Sequence, residues 1–188
     1  MHVRASSIAG MPVLDDQTQE VVGFLRDPLI HPDTGRVEGF FVVPSFPLAE
    51  GDELFLSGVD IIGWGTKVHV RSGDRLSPPH ELIRLQPLLH EHRQFLGQAI
   101  ITRGSKRKLG TCADVQFDTR HFMVEWLFPR KYLFLRQPLP ATDILEVTSR
   151  AIWMRDPLKP ARDDVIERKK EAVVLSDVLP VAQGPCEG

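Results

Sequence analysis

The chain has 188 residues, of which 42% are apolar and 26% charged, ordinary values for a folded globular protein and enough for one domain or two small ones. No apolar run reaches the ~18 residues that span a bilayer, and the opening "MHVRASSIAGMPV" has no apolar core of signal-peptide length. Two well-separated cysteines, Cys112 and Cys186, offer no disulfide framework and no CxxC pair, so a reducing cytoplasm is the expected location.

The net charge of −2 conceals an asymmetry. Residues 1–92 carry 7 Lys+Arg against 13 Asp+Glu, a net of −6, whereas residues 93–188 carry 16 against 12, a net of +4. Such opposed fields bear on partners and not on fold; simple attraction between the two halves is the plain alternative.

Over residues 1–76 the chain is a succession of short apolar or alternating runs: "MPVL", "VVGFLRDPLI", "VEGFFVV", "ELFLSG", "VDIIGWG" and "KVHVR". Each is strand-sized and bounded by turn residues. "HPDTGR" at 31–36 predicts a tight turn, with Pro32 presetting φ and Gly35 tolerating positive φ. Many short strands in so small a unit predict a barrel, which removes exposed sheet edges.

At 77–94 the texture changes. Ser77 and Pro78 suit the start of a helix, and Leu82, Ile83, Leu85, Leu88 and Leu89 supply an apolar side, with Pro87 limiting its length. The segment is predicted as a connector with short helical content.

Strand texture returns over 95–157, and it repeats the first unit. Gly97 falls on Gly10 and Ile100 on Val13. "LGTCAD" at 109–114 falls on "VGFLRD" at 22–27, so Gly110 matches Gly23 and Asp114 matches Asp27. "TDILEVTSRAIWMRD" at 142–156 falls on "VDIIGWGTKVHVRSG" at 59–73, matching Asp143 to Asp60 and Trp153 to Val70. Length differences fall between these anchors, where loops absorb them. Gly23 and Gly110 stand among apolar strand residues, where a missing side chain permits close backbone approach. Asp27 and Asp114 precede a turn and can accept backbone N–H groups. Residues 158–188 form a C-terminal tail, with a short helix predicted over "DDVIERKKEAVVL" and a polar end containing Cys186.

The stretches "IAGMPVLDDQTQEVVGFLRDPLIHPDTGRVEGFFVV" and "VDIIGWGTKVHV" resemble the opening and closing segments of a PRC-barrel domain, and the second half repeats both pieces. Its turn, "DTRH" at 118–121, keeps Asp118 and Thr119 but lacks the glycine. The resemblance covers residues 1–157. It implies a mainly β fold of two small PRC-like antiparallel β-barrels in tandem, over 1–76 and 95–157. The family includes the cytoplasmic part of the photosynthetic reaction centre H subunit and the C-terminal domain of a ribosome maturation factor that binds a small-subunit ribosomal protein. Neither role transfers whole: the chain has no membrane helix like that of the H subunit, and residues 1–92 look like a barrel copy. What the family shares is a binding scaffold, and fold alone does not name the partner.

The residues offer no catalytic set. No GxSxG, HExxH, Walker or GxGxxG pattern is present. His90 and His92 point apart on a helix and have no third ligand nearby on a strand, so neither a metal nor a cofactor is expected. Asp15–Asp16 and Asp163–Asp164 suit turn and helix-start roles. The distinctive polar feature is "TRGSKRKLG" at 102–110, which places Arg103, Lys106, Arg107 and Lys108 where the first copy has the acidic "DDQTQEVVG"; "PRKY" at 129–132 adds Arg130 and Lys131. Beside Tyr132 and Phe134, these cations could meet an acidic protein face or RNA phosphate; a solvated hairpin tip is the plain alternative. The expectation is a non-enzymatic adaptor that binds a protein partner or self-associates, with an RNA- or ribosome-associated factor as the second reading. A small-molecule site in a groove between the barrels is the third, and would need buried titratable groups there.

Overall fold

The computed structural model of the protein describes residues 1–45, 53–91 and 93–156. The predicted tail helix, Cys186 and His92 lie outside the described residues. After β1 (His2–Arg4) and the single turn α1 (Ala5–Ile8), the first half contains β2 (Pro12–Asp15), β3 (Val21–Ile30), β4 (Val37–Pro44), β5 (Leu54–Ser57), β6 (Ile61–Trp64), β7 (Val68–Val70) and β8 (Leu76–Ser77). A one-turn helix, α2 (Gln86–Leu89), precedes the second half. There follow β9 (Ala99–Thr102), β10 (Lys108–Asp118), β11 (Met123–Lys131), β12 (Phe134–Leu135), β13 (Leu139–Pro140), β14 (Ile144–Val147) and β15 (Ala151–Met154).

The protein is mainly β and forms two sheets that share the order of five strands, β6-β7-β2-β3-β4 in one and β14-β15-β9-β10-β11 in the other. One runs β6-β7-β2-β3-β4-β5-β8; the other runs β14-β15-β9-β10-β11-β12, with β13 also on β11. Both are mixed, and not antiparallel throughout as the sequence predicted. β2 pairs in parallel with β7 and β9 with β15, Val13 opposite Val68 and Ile100 opposite Ile152. A later strand that returns beside an earlier one from the same direction cannot pair with it otherwise.

Backbone contacts repeat in detail. Gly10 N–H donates to Leu25 O and Gly97 N–H to Cys112 O, each at 2.8 Å. A Cβ on Gly23 would lie 2.6 Å from Val42 Cγ1 and 2.7 Å from Val43 O; one on Gly110 would lie 2.8 Å from Arg130 O. Both glycines therefore admit the close approach of the neighbouring strand, as predicted. One match shifts: with Val13 on Ile100, the parallel registers put Trp153 on His69 rather than Val70. Four residues, 148–151, separate the paired Val147 and Ile152, against three, 65–67, between the paired Trp64 and Val68.

The halves meet about an approximate twofold axis at the turns 31–36 and 118–123. Arg36 bridges Met123, Val37 N–H donates to Phe122 O at 2.7 Å, and Val124 N–H donates reciprocally to Gly35 O at 2.9 Å. Phe122 occupies the place of Gly35 and, like it, has positive φ, +52° against +68°. The absent glycine is thus replaced by a strained phenylalanine whose ring packs on Phe40 and Trp64. Phe117 joins the same group. Buried residues of both sheets form one continuous core, including Ile8, Val13, Phe40, Ile100, Phe117 and Leu127.

The N-terminal segment also ties the halves together. β1 pairs with the end of β10, His2 opposite Asp118. Asp114 accepts from Ser6 N–H at 3.0 Å and Ser6 Oγ at 2.6 Å, whereas its counterpart Asp27 is exposed and paired with Arg26. Between the halves, Ser77 ends β8 opposite Phe55 instead of capping a helix. Short 3-10 turns at Pro79–Glu81 and Ile83–Leu85 lead into α2, with Pro87 in its first turn where no N–H is required. Of the predicted apolar side, Leu85 is buried and Ile83 faces solvent. Arg93 fixes the end of the segment by bonding Asp33 and Glu91.

Asp118 anchors the second turn. Its carboxylate accepts from the Met1 ammonium at 3.1 Å, His121 N–H at 3.2 Å and His121 Nδ1 at 2.7 Å. Burial alone would raise its pKa, but these bonds and that of Arg120 N–H outweigh burial and hold it below the ordinary carboxylate range. A depressed folded pKa contributes stability above the unfolded value, about 4, that is lost as pH falls through the folded one. The wild-type protein should melt above Asp118→Asn at pH 7, and the two melting temperatures should converge as pH falls below about 4. A difference that persists unchanged into that range would assign the stabilisation to packing.

Candidate functional site

The hairpin joining β9 to β10 is the structural counterpart of that joining β2 to β3, and the two are stabilised by different chemistry. In the first half, Asp15 accepts from Gln17 N–H at 2.7 Å and Thr18 N–H at 3.2 Å through Oδ1, and from Gly73 N–H at 2.7 Å through Oδ2. The Gly73 bond, opposed by burial and helped by Gln17 and Thr18, keeps this carboxyl below its usual range. Asp16 adds a second carboxylate, 3.5 Å from His69 Nδ1. In the second half the same places are held by Thr102 and Arg103. Buried Thr102 Oγ1 accepts from Arg107 N–H at 3.0 Å and lies 2.7 Å from Ser105 Oγ. A neutral hydroxyl therefore stands where the first half has the Asp15 carboxylate, and Arg103 stands where it has Asp16.

Beside this hairpin is an open cleft of about 750 Å³. Arg107 approaches it from the turn before β10, Lys108 from the first residue of β10, Lys131 from β11, and Arg136 from the segment after β12. Pro129, Leu139 and Met154 contribute apolar lining. The carboxylate in this lining is Asp143, 3.8 Å from Arg155 Nη1. The arrangement suits a polyanion with some apolar character.

Of the residues singled out from sequence, the fold brings Arg107, Lys108 and Lys131 together. Arg103 and Lys106 lie in the exposed turn outside the lining, Lys106 with φ +51°. Arg130 alternates with Pro129 and Lys131 along β11 and lies outside it as well. Arg136 and Arg155 were not singled out from sequence. Arg136 comes close because its N–H donates to Pro129 O at 2.8 Å, and Arg155 because its N–H donates to Asp143 O at 2.8 Å.

No protein-family model matches the chain, and no curated protein matches it. Cys112 is buried, and burial, with Asp114 nearby, pushes its thiol up to about 12, far from a reactive thiolate. Among the described residues no group of three His, Cys, Asp or Glu is placed to hold a metal ion, and no helix is long and apolar enough to cross a membrane. A second hollow, about 420 Å³, lies between the halves. It is lined largely by apolar groups such as Met123, Val124, Ile144 and Val147, and its Asp33 is engaged by Arg93.

Proposed function

We propose that each half is a PRC-like barrel, and that together they form a non-enzymatic cytoplasmic scaffold whose basic cleft binds an acidic protein face. The observation that carries this reading is the convergence of Arg107, Lys108, Lys131 and Arg136 on one cleft, where the matching hairpin of the first half carries Asp15 and Asp16. A shared framework with opposite loop charge is what a duplicated scaffold needs to distinguish two surfaces. The acidic face belongs to another protein or to the first half of a second copy. RNA is the second reading, favoured by the exposed rings of Tyr132 and Phe134 near these cations.

Fluorescence anisotropy with a glutamate-rich peptide and a single-stranded RNA of equal charge, across a salt series, separates the two. The peptide should bind more tightly at each salt concentration, and Arg107→Ala with Lys108→Ala should weaken it about tenfold, since each desolvated charge contact is worth on the order of 1 kcal/mol. Tighter RNA binding selects the second reading. Equal binding by the double variant rejects the cleft as the site for either ligand.

A further inference from the structure

The β11–β12 hairpin ends in a feature that the cleft does not use. Lys131 pairs with Phe134 across the two-residue loop Tyr132–Leu133. Tyr132, Leu133, Phe134 and Leu135 are 86, 90, 73 and 60% exposed. Single exposed apolar residues elsewhere, such as Val59 and Ile83, are normal for a protein surface. Four in succession on a hairpin at the edge of a sheet form a patch that calls for a partner. Alternation along β12 would ordinarily turn one of Phe134 and Leu135 inward, yet both face solvent.

Tyr132 has φ +56°. Glycine is the usual residue at such a hairpin position, and a bulky side chain there costs free energy. The strain is tolerated at the exposed tip of the hairpin, where little packing rewards it. Arg130 and Lys131 precede the apolar run, Arg136 follows it, and no Asp or Glu occurs between Glu125 and Asp143. An apolar crown above a basic collar is thus written into one short hairpin.

We infer that this hairpin is a membrane-surface anchor, whose crown enters the interfacial layer of a bilayer carrying anionic lipid while the collar meets the headgroups. Two weak signals acting together are what reversible surface attachment requires. The collar cations supply the attraction to anionic lipid, and tyrosine suits the headgroup level with its apolar ring and polar end. RNA fits less well, because Leu133 and Leu135 offer no ring for base stacking. The collar shares Lys131 and Arg136 with the cleft, but the inference rests on the crown: substitutions at Leu133 and Phe134 leave the cleft untouched, and the cleft test on Arg107 and Lys108 leaves the crown intact.

Co-sedimentation of the full chain with vesicles tests it. The protein should bind vesicles of phosphatidylcholine mixed with phosphatidylglycerol and bind pure phosphatidylcholine weakly. Leu133→Ser with Phe134→Ser should lower partitioning by about tenfold or more with an unchanged melting temperature. Arg136→Gln should lower it by about fivefold at low salt and little at high salt. Tyr132→Gly should weaken vesicle binding while raising the melting temperature, a combination that a purely structural tyrosine would not produce. Vesicle binding that survives the Leu133/Phe134 double substitution overturns the inference, leaving only diffuse attraction to charge. Absence of vesicle binding overturns it too, and if the double variant then abolishes dimer formation or RNA binding, the crown is a contact for that partner instead.

Discussion

Gly39→Ala should lower the stability of the protein by about 3 kcal/mol and its melting temperature by about 10 °C for a chain of this length. Gly39 is buried in β4, opposite Ser57 of β5. A Cβ there would fall on Leu56 O and on the ring of Phe55. The first is backbone held in the ladder. The second is a fully buried ring, itself packed edge-on against Phe41 at 5.5 Å. Neither can yield without moving β5, so the cost is that of overpacking rather than of conformational strain. Gly58→Ala is the matched control. Its Cβ would find Glu38 O and Val37 O at 3.5 Å, an ordinary contact, and the change should stay within about 0.5 kcal/mol of wild type. Thermal unfolding of both variants decides the matter; equal melting temperatures would mean that β5 is free to shift.

The contrast between these glycines marks what a sequence can and cannot disclose. Gly23 and Gly110 were legible because each breaks an apolar run at the same place in two copies, and repetition turned a weak local signal into a structural one. The same comparison exposed the exchange of an acidic hairpin for a basic one. Gly39 had no such support, since its counterpart by the register of the twofold contact is Trp126, which is half-exposed. The partner strand decides which of the two fits, and that strand is distant in sequence. The parallel closures were equally hidden, because alternation reports a face and not a direction. Trp153 was displaced by one position because a single extra loop residue shifts register without altering hydrophobic pattern. In the cleft, Arg107, Lys108 and Lys131 were visible as a local cluster, but Arg136 enters only through its backbone bond to Pro129 and Arg155 through its bond to Asp143. The crown at 132–135 was read in part, through Tyr132 and Phe134; its full exposure depends on the hairpin standing at a sheet edge, which composition does not encode.

Phe40→Ala should cost about 4 kcal/mol, within the range for deleting a buried aromatic side chain, and a large share of the stability ordinary for a domain. Phe40 is fully buried in β4, and its ring lies 5.3 Å from Trp64 in its own half and 5.8 and 6.1 Å from Phe117 and Phe122 in the other. The cavity would therefore open at the axis relating the two copies, where neither sheet can close it without losing hold of the other. If the copies were independent, only β3 and β4 would lose amide protection from hydrogen exchange. Because the core is continuous, β10 and β11 should lose protection together with them, and unfolding should remain a single transition at a melting temperature lower by about 12 °C. Leu127→Ala provides the reciprocal experiment. Leu127 is the counterpart of Phe40 across the axis and is also fully buried, and its removal should cost about 3 kcal/mol and deprotect β3 and β4 of the first half. Two transitions in either variant, one per half, would show that the duplication produced neighbours and not a single folding unit; one transition in both means that neither copy holds its sheet without the other.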